Sequence, residues 1–595
     1  MVKDLGVPVI VVQSGDNSHS INEFADKHDG NGVPTFTLNS NDSGFEMDID
    51  GLEGLNLGAK TDDNVEVSHS LLDLFVEENG QFAVHKILSH LRRAGIRPFS
   101  DIRLTEMMNK LSIDPQGLTI ASEIGVKKFV SVPEFQEASQ SCALLLNQAL
   151  SSNLIIPDFT AFSREIKAIY EDLKCITGGQ NAQYIPQLAR INPNFLGISV
   201  CTIDGQRYSI GDTEIPFCIQ SCSKALNYAI NVAEHGPALV HRHLGKEPSG
   251  VGFNQIRLDK NGLPHNPMIN PGAISCCSVI KTGECLADRF DYIIKEYKKM
   301  AGEEFIGFSN ATFLSEKATA DRNFAIGYYL KEHGVFPEGT NLEETLDLYF
   351  QLCSVEATAD SAAVIAATLA NGGECPTSKE ICVTPDAVRN TLSLMYSCGM
   401  YDYSGEWSFE VGLPAKSGVA GSIFIVVPDV MGICVWSPPL DKLGNSFRGI
   451  EFAKRLIKRF SFHQFDTLMT GTSAKIDPRR HVKHETRETI IQQMLVAALH
   501  NDMVLLTRYI ETGVDFNMAD YDDRSALHLA VCGGHLPVVK FLIEKGKANI
   551  NVLDRWNSTP LDEAYKYEFH DIVKYIERKR GMRGEGVLLA ATQQY

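Results

Sequence analysis

The chain has 595 residues, a formal net charge of −19 at pH 7, and 44% hydrophobic against 22% charged residues. That length exceeds what one hydrophobic core supports and predicts two to four domains. The acidity argues against nucleic acid or an anionic membrane as the main partner, since both select clustered positive charge.

Residues 1–65 are rich in Asp, Asn, Gly and Ser and hold no sustained period, so they are predicted to be mostly disordered. Their start, "MVKDLGVPVIVVQSGDNSHS", lacks a basic n-region, a small-residue cleavage site and arginine, so neither a secretory signal nor a transit peptide is read there. "DIDG" at Asp48–Gly51 has the opening spacing of a calcium loop but not its later Glu, so no calcium site is assigned.

Residues 66–174 turn helical. "SLLDLFVEENGQFAVHKILSHLRRAG" places apolar residues at helical spacing, with Gly95 as a stop, and about five such helices are predicted. Residues 175–465 are mixed. Ile198, Val200 and Thr202 alternate, Asp204–Gly205 reads as a two-residue hairpin turn, and a second strand follows. A long helical stretch fills the middle. Strands return in "AKSGVAGSIFIVVPDVMGICVWSP", where Pro428 and Asp429 break the longest apolar run into two strands, so no membrane span is expected. The helix "SFRGIEFAKRLIKRF" closes the section. Strands at both ends of a helical middle predict one sheet built from the two chain ends, an α+β layout.

After a linker at 466–484, residues 485–580 repeat, and 581–595 form a tail. Leu527 recurs as Leu561, Ala530 as Ala564, and Val538–Val539–Lys540 as Ile572–Val573–Lys574, each 34 residues apart. An upstream unit matches at a spacing of 33, aligning Gly513 with Gly546. The period and the starts at Ser525 and Thr559 resemble ankyrin repeats, an all-α stack in which His528 has a structural role.

The chemistry-bearing stretch is "PFCIQSCSKALNYA", with Cys218, Ser221, Cys222 and Ser223 as candidate nucleophiles. Positions three apart on a helix share a face, so Lys224 sits beside Ser221 and away from Ser223. A buried, neutral lysine can take a serine proton. No histidine lies near in sequence to activate either thiol. A chain of this length yields about two or three Ser-x-x-Lys matches by chance, and Ser278–Lys281 is such a decoy. Only the first match follows a hairpin and opens an apolar helix. Together with Lys416-Ser417-Gly418 on a late strand, it has the pattern of the serine β-lactamase and penicillin-binding folds.

"YIPQLA", "SVCTIDGQRYSIGD", "FCIQSCSK", "GKEPSG", "PHNPMINPGAI", "GFSNATF", "DRNFAIGYYLKE", "YFQLCSVE" and "GLPAKSGVAG", in that order, resemble the animal kidney-type and liver-type glutaminases over roughly residues 70 to 580. The resemblance implies a multi-domain chain: a helical regulatory, EF-hand-like module at 66–174, a β-lactamase-like α+β catalytic domain at 175–465, and ankyrin repeats at 485–580. It implies Ser221 as nucleophile, Lys224 as general base and Tyr401 as proton relay. Tyr184, Asn270, Glu316, Asn323 and Tyr349 match substrate-holding positions, and the N–H groups of Ser221 and Val419 match an oxyanion hole. The activity implied is hydrolysis of L-glutamine to L-glutamate and ammonia by a homotetramer, with no metal or organic cofactor and with inorganic phosphate as activator. The family implies a mitochondrial location, with the cytosol as alternative, and the repeats imply a protein partner.

Departures from the family lie at Pro271, where a small residue is usual and a different local loop is therefore expected, and in the loop Gly250–Asn261, which the family links to phosphate activation and assembly. No Ser-x-Asn triplet of the β-lactamase type is found, so Tyr401 would carry that function. Two other readings stand beside this one: another acyl hydrolase on the same fold, such as an asparagine amidase, and a non-catalytic ankyrin scaffold.

Overall fold

The computed structural model describes residues 67, 72, 75–77, 80–113, 128–250, 252, 254–466, 475–479, 487–511 and 514–580. The expectations for residues 1–65, for Asp48–Gly51, for Gly513 and for the tail lie outside these residues.

The first module carries a two-residue ladder, β1 (Phe82–Ala83) against β2 (Phe129–Val130), among the helices Val84–Arg93, Thr105–Lys110, Val132–Ser139 and Ala143–Leu150. Ser131 caps the third of these through a reciprocal box with Glu134, so two orphan N–H groups at its start are satisfied. Its core runs from Val67 to Leu154 around Phe82, Leu91 and Phe135. The fifth predicted helix, Phe159–Lys174, forms, but its apolar face (Phe162, Ile166, Ile169, Leu173) packs in a different core, with the strands of the next section. By packing, the helical module therefore ends near residue 154 rather than 174.

The main sheet has five antiparallel strands in the order β4 (Arg207–Gly211), β3 (Gly197–Thr202), β10 (Met431–Trp436), β9 (Ser422–Val427), β8 (Ala415–Gly418). It joins the two ends of the catalytic section, as the strand pattern predicts. Period-two alternation separates its faces. Ile423, Ile425 and Val427 join Phe452, Leu456 and the helix Phe159–Lys174 on one side. Phe424, Val426 and Cys434 join the helical middle on the other. There the helix Ala359–Ala370 is mostly apolar and wholly buried apart from Asp360, because it runs between sheet and helices. It lies so close to β10 that a Cβ at Gly432 would collide with Ala366 and Ala367 backbone.

A second sheet was not legible in the sequence. It sets β5 (Phe217–Cys218) and β6 (Ile306–Phe308) on either side of β7 (Val355–Ala357). Strands of two or three residues are too short to show a period. This sheet holds the start of the Ser221 stretch, and Ile219 N–H extends it by donating to Val355 O at 2.8 Å.

The β3–β4 loop also differs from expectation. Thr202 N–H donates to Gln206 O, which leaves a three-residue loop with Gly205 at φ +89° rather than a two-residue turn. The helical module and the segment just after it shape it. Asp204 accepts from Ile155 N–H, the Gln206 side chain bonds Ala94 O and Ile156 O, and Arg103 donates to Asp204 O. The hairpin tip is thus the plug by which the two modules dock.

In the repeats, Ser525 and Thr559 cap the helices Ala526–Cys532 and Pro560–Lys566 with reciprocal boxes. His528 bonds Ser525 through Nδ1 and lies 3.2 Å from Ser558 O through Nε2, so it links successive repeats, in keeping with a structural role. Among the described residues no helix is long and apolar enough to cross a membrane.

Candidate active site

The Ser221 stretch does not enter its helix directly. Gln220–Cys222 forms a 3-10 turn, and the helix Ser223–Val240 follows, breaking at Gly236 (φ +74°). In a 3-10 turn positions i and i+3 eclipse, which brings Ser221 and Lys224 closer than α-helical geometry alone would. Lys224 Nζ donates to Ser221 Oγ at 2.6 Å. Both side chains are buried, Lys224 at 2% exposure. Burial lowers the Lys224 amine below its ordinary value, since desolvation penalises the ammonium.

The rival nucleophiles are turned elsewhere. Ser223 Oγ donates to Gln220 O at 2.7 Å. Cys222 Sγ faces Lys416 O at 3.2 Å, and Cys218 Sγ faces Thr312 Oγ1 at 3.4 Å. Burial pushes the Cys218 thiol up to about 12 and raises Cys222 as well, so both stay protonated. The decoy is also resolved. Ser278 Oγ bonds Ser275 O, while Lys281 points outward to Glu234 at 2.6 Å.

Tyr401 follows the helix Pro385–Cys398 and stands at φ +54°, and Gln220 stands at +49°. Left-handed conformations cost a non-glycine residue about 1–2 kcal/mol and concentrate at sites the surroundings over-determine. The Tyr401 hydroxyl donates to Ser417 O at 3.1 Å, and the Ser221 side chain acts on it to offset part of the rise that burial gives its pKa. Beside it, Lys416 on β8 is wholly buried, with its Nζ 4.6 Å from the Tyr401 ring centroid. Burial first, and then the Lys224 charge, pull the Lys416 amine down to about 7. Val419 lies in the turn that ends β8, next to Gly418, where an added Cβ would press on Ile219 O.

A second group gathers around Glu316, which is 8% exposed. Its Oε1 accepts from Tyr184 Oη at 2.6 Å and from Gln220 Nε2 at 3.0 Å. Burial raises its pKa above the ordinary carboxylate value, while these two donors and then the Lys224 charge pull the other way. The Tyr349 ring lies between the groups, 5.5 Å from Lys224 Nζ. Asn270 Nδ2 donates to Asn323 Oδ1 at 3.1 Å. Asn270 opens the helix Asn270–Val279, so Pro271 falls in its first turn, where its missing N–H and fixed φ cost nothing. The different loop expected there is replaced by a regular helix start. A cleft of about 380 Å³ runs between Ile269, next to Asn270, and Tyr401.

The structure thus gathers Ser221, Lys224 and Tyr401 into one cluster. It links Tyr184 to Glu316, sets Tyr349 beside Lys224 and pairs Asn270 with Asn323. Gln220 and Lys416 belong to the same constellation and were not singled out from sequence as site residues. Lys416 was marked in the sequence by the Lys416-Ser417-Gly418 motif, whereas Gln220 had only its adjacency to Ser221, since a left-handed φ at glutamine leaves no mark in composition. The arrangement offers a nucleophile with an adjacent base, a buried anion with two donors, and an amide pair. Among the described residues no group of three or more His, Cys, Asp or Glu side chains is placed to hold a metal ion.

A family profile described as Glutaminase matches residues 179–465, one described as Ankyrin repeats (3 copies) matches 494–582, and one described as EF-hand domain matches 67–157. The chain is 49% identical over 501 residues to the mitochondrial glutaminase liver isoform of Rattus norvegicus, covering 84% of this chain and 82% of the relative. It is 46% identical over 533 residues to a putative glutaminase 2 of Caenorhabditis elegans, covering 89% and 87%. A solved structure described as a probable glutaminase is 36% identical with a TM-score of 0.48, covering 50% of this chain and 95% of that one.

Proposed function

We propose, for a chain that belongs to the glutaminase family and hydrolyses L-glutamine to L-glutamate and ammonia, that the reaction runs through a γ-glutamyl ester on Ser221. The observation that carries this reading is the buried 2.6 Å contact between Lys224 Nζ and Ser221 Oγ. With Lys224 neutral, the contact reverses and the amine accepts the serine proton as Oγ attacks the side-chain amide carbon. The C=O π pair moves to the oxygen, which the N–H groups of Ser221 and Val419 receive. Collapse breaks the C–N bond, and the leaving nitrogen takes a proton through Lys224 and Tyr401 to depart as ammonia. Water then adds to the ester under the same base, and Ser221 regains its proton as glutamate forms.

The remaining groups suit a zwitterion. Glu316 is the anion for the α-ammonium, and Tyr184 and Gln220 hold its carboxylate in place. Asn270 and Asn323 supply neutral donors for the α-carboxylate, and Tyr349 closes the side facing Lys224. Glu316→Gln keeps shape and removes the charge, so KM for L-glutamine is expected to rise by about 30-fold or more, the equivalent of about 2 kcal/mol of lost charge pairing. Steady-state kinetics read this directly, and an unchanged KM would remove Glu316 from ammonium binding.

Inorganic phosphate as activator, a homotetrameric state, a mitochondrial location with the cytosol as alternative, and a protein partner for the repeats complete the reading. They rest on the glutaminase resemblance and, for the compartment, on the rat relative's name. The test is a substrate panel with purified protein, with and without phosphate. Ammonia release from L-glutamine, with little from L-asparagine and no nitrocefin turnover, is expected. Preference for asparagine or nitrocefin would favour another acyl hydrolase, and no turnover at any phosphate level would favour a scaffold.

A further inference from the structure

We infer that Lys416 is a positioning residue of this reaction, holding Tyr401 against Ser221 without touching the substrate. The inference rests on the acyl-transfer reading above. It begins from what the lysine lacks. Lys416 has 0% exposure, and among the described residues its amine makes no ion pair with a carboxylate. Its amine meets Gly399 O at 3.1 Å, Ser417 O at 2.8 Å and the face of the Tyr401 ring at 4.6 Å.

Stability does not account for it. Burying an amine without a counter-ion is costly, and an apolar side chain of similar volume is often neutral or better. Nor do the two carbonyls need the lysine. Gly399 O also accepts from Ser417 N–H at 3.1 Å, and Ser417 O from the Tyr401 hydroxyl at 3.1 Å.

What the amine adds to these two bonds is a third tie between β8 and the 399–401 turn, through Gly399 O and the face of the Tyr401 ring. Gly399 enters that turn so near β8 that a Cβ there would collide with Ala415 O. Met400 N–H donates to Ser404 Oγ, which donates to Tyr401 O at 2.7 Å, so the far side of the turn is pinned as well. Tyr401 is left-handed and needs such over-determination. The backbone of the same lysine faces the nucleophile turn through Cys222 Sγ, so one residue spans both halves of the cluster. Its ring contact and its bond to Ser417 O fix the plane and the tip of Tyr401, which set the direction of the hydroxyl at Ser221.

The experiment is a double-mutant cycle of Lys416→Met and Tyr401→Phe, read as kcat, KM for L-glutamine and melting temperature. Lys416→Met is expected to lower kcat by about 100-fold, with KM within about 3-fold and a melting temperature no lower than the parent's. The double variant is expected to be no slower than the slower single variant, since the lysine acts through the tyrosine. Lys416→Gln, which keeps one donor, replaces the methionine variant if that one does not fold. Losses that multiply in the double variant, a parental kcat in Lys416→Met, or a change confined to KM would overturn the inference. Full activity in Tyr401→Phe alone would instead overturn Tyr401's place in the acyl transfer.

Discussion

Ser221→Ala is expected to lower kcat for L-glutamine by about 10⁴-fold or more, the scale seen when a nucleophile is removed from a unit that otherwise stays intact. No neighbour can take over. Ser223 is bonded back onto its own turn, and Cys222 is a buried, protonated thiol facing Lys416 O. The change removes one oxygen from a buried position and leaves the buried Lys224 amine without its acceptor, so a modest fall in melting temperature is expected beside the loss of activity. Ammonia release in a coupled assay reads the loss. Parent enzyme quenched with hydroxylamine during turnover should also yield γ-glutamyl hydroxamate, and the variant none. Activity within about tenfold of the parent would remove Ser221 from the mechanism.

Lys224→Met is expected to lower kcat by about 10³-fold, within the range of a lost general base, and to erase the acid limb of the pH profile. The amine must be neutral to accept the serine proton, and burial is the first cause lowering its pKa below 10.5. In the parent, kcat/KM should therefore rise with pH and level off below 10.5. Stability shifts in the same sense. An unfolded lysine keeps its proton up to its ordinary value, while the folded one releases it earlier. Between the two pKa values the unfolded state binds more protons, so parental stability rises with pH across that window. Below the folded value both states are protonated and the burial penalty stands in full. Lys416, pulled down to about 7, adds to the same rise. The methionine variant should lose the Lys224 share of this rise, measurable as a melting temperature less dependent on pH below 10.5. An unaltered pH–rate profile in the variant would assign the base elsewhere.

The limits of the sequence reading fall at identifiable places. The β9–β10 pair and its turn were legible because six-residue strands flank Pro428–Asp429, with Asp429 taking the left-handed turn conformation. The β3–β4 hairpin was legible as a hairpin but not as a three-residue loop, because that loop answers to Ala94 and Arg103 of another module and to Ile155 in the segment after it. The helix Phe159–Lys174 was legible as amphipathic, yet periodicity says only that a face is buried, not against which core. Pro271 looked disruptive because its place one residue into a helix could not be read from an apolar stretch.

By itself, the sequence determined the modular order, the α+β layout, the repeat period and, through motif order, the family and the reaction. It also brought Ser221 and Lys224 together, because three-residue spacing is a local constraint that any helical turn enforces. What only the tertiary structure decided are contacts between residues far apart in the chain: Gln220 and Tyr184 on Glu316, and Lys416 beneath Tyr401. These depend on where a sheet edge, a left-handed turn and several helix starts converge. Such convergence is set by packing across the whole domain, for which no short stretch of sequence carries a period or a spacing.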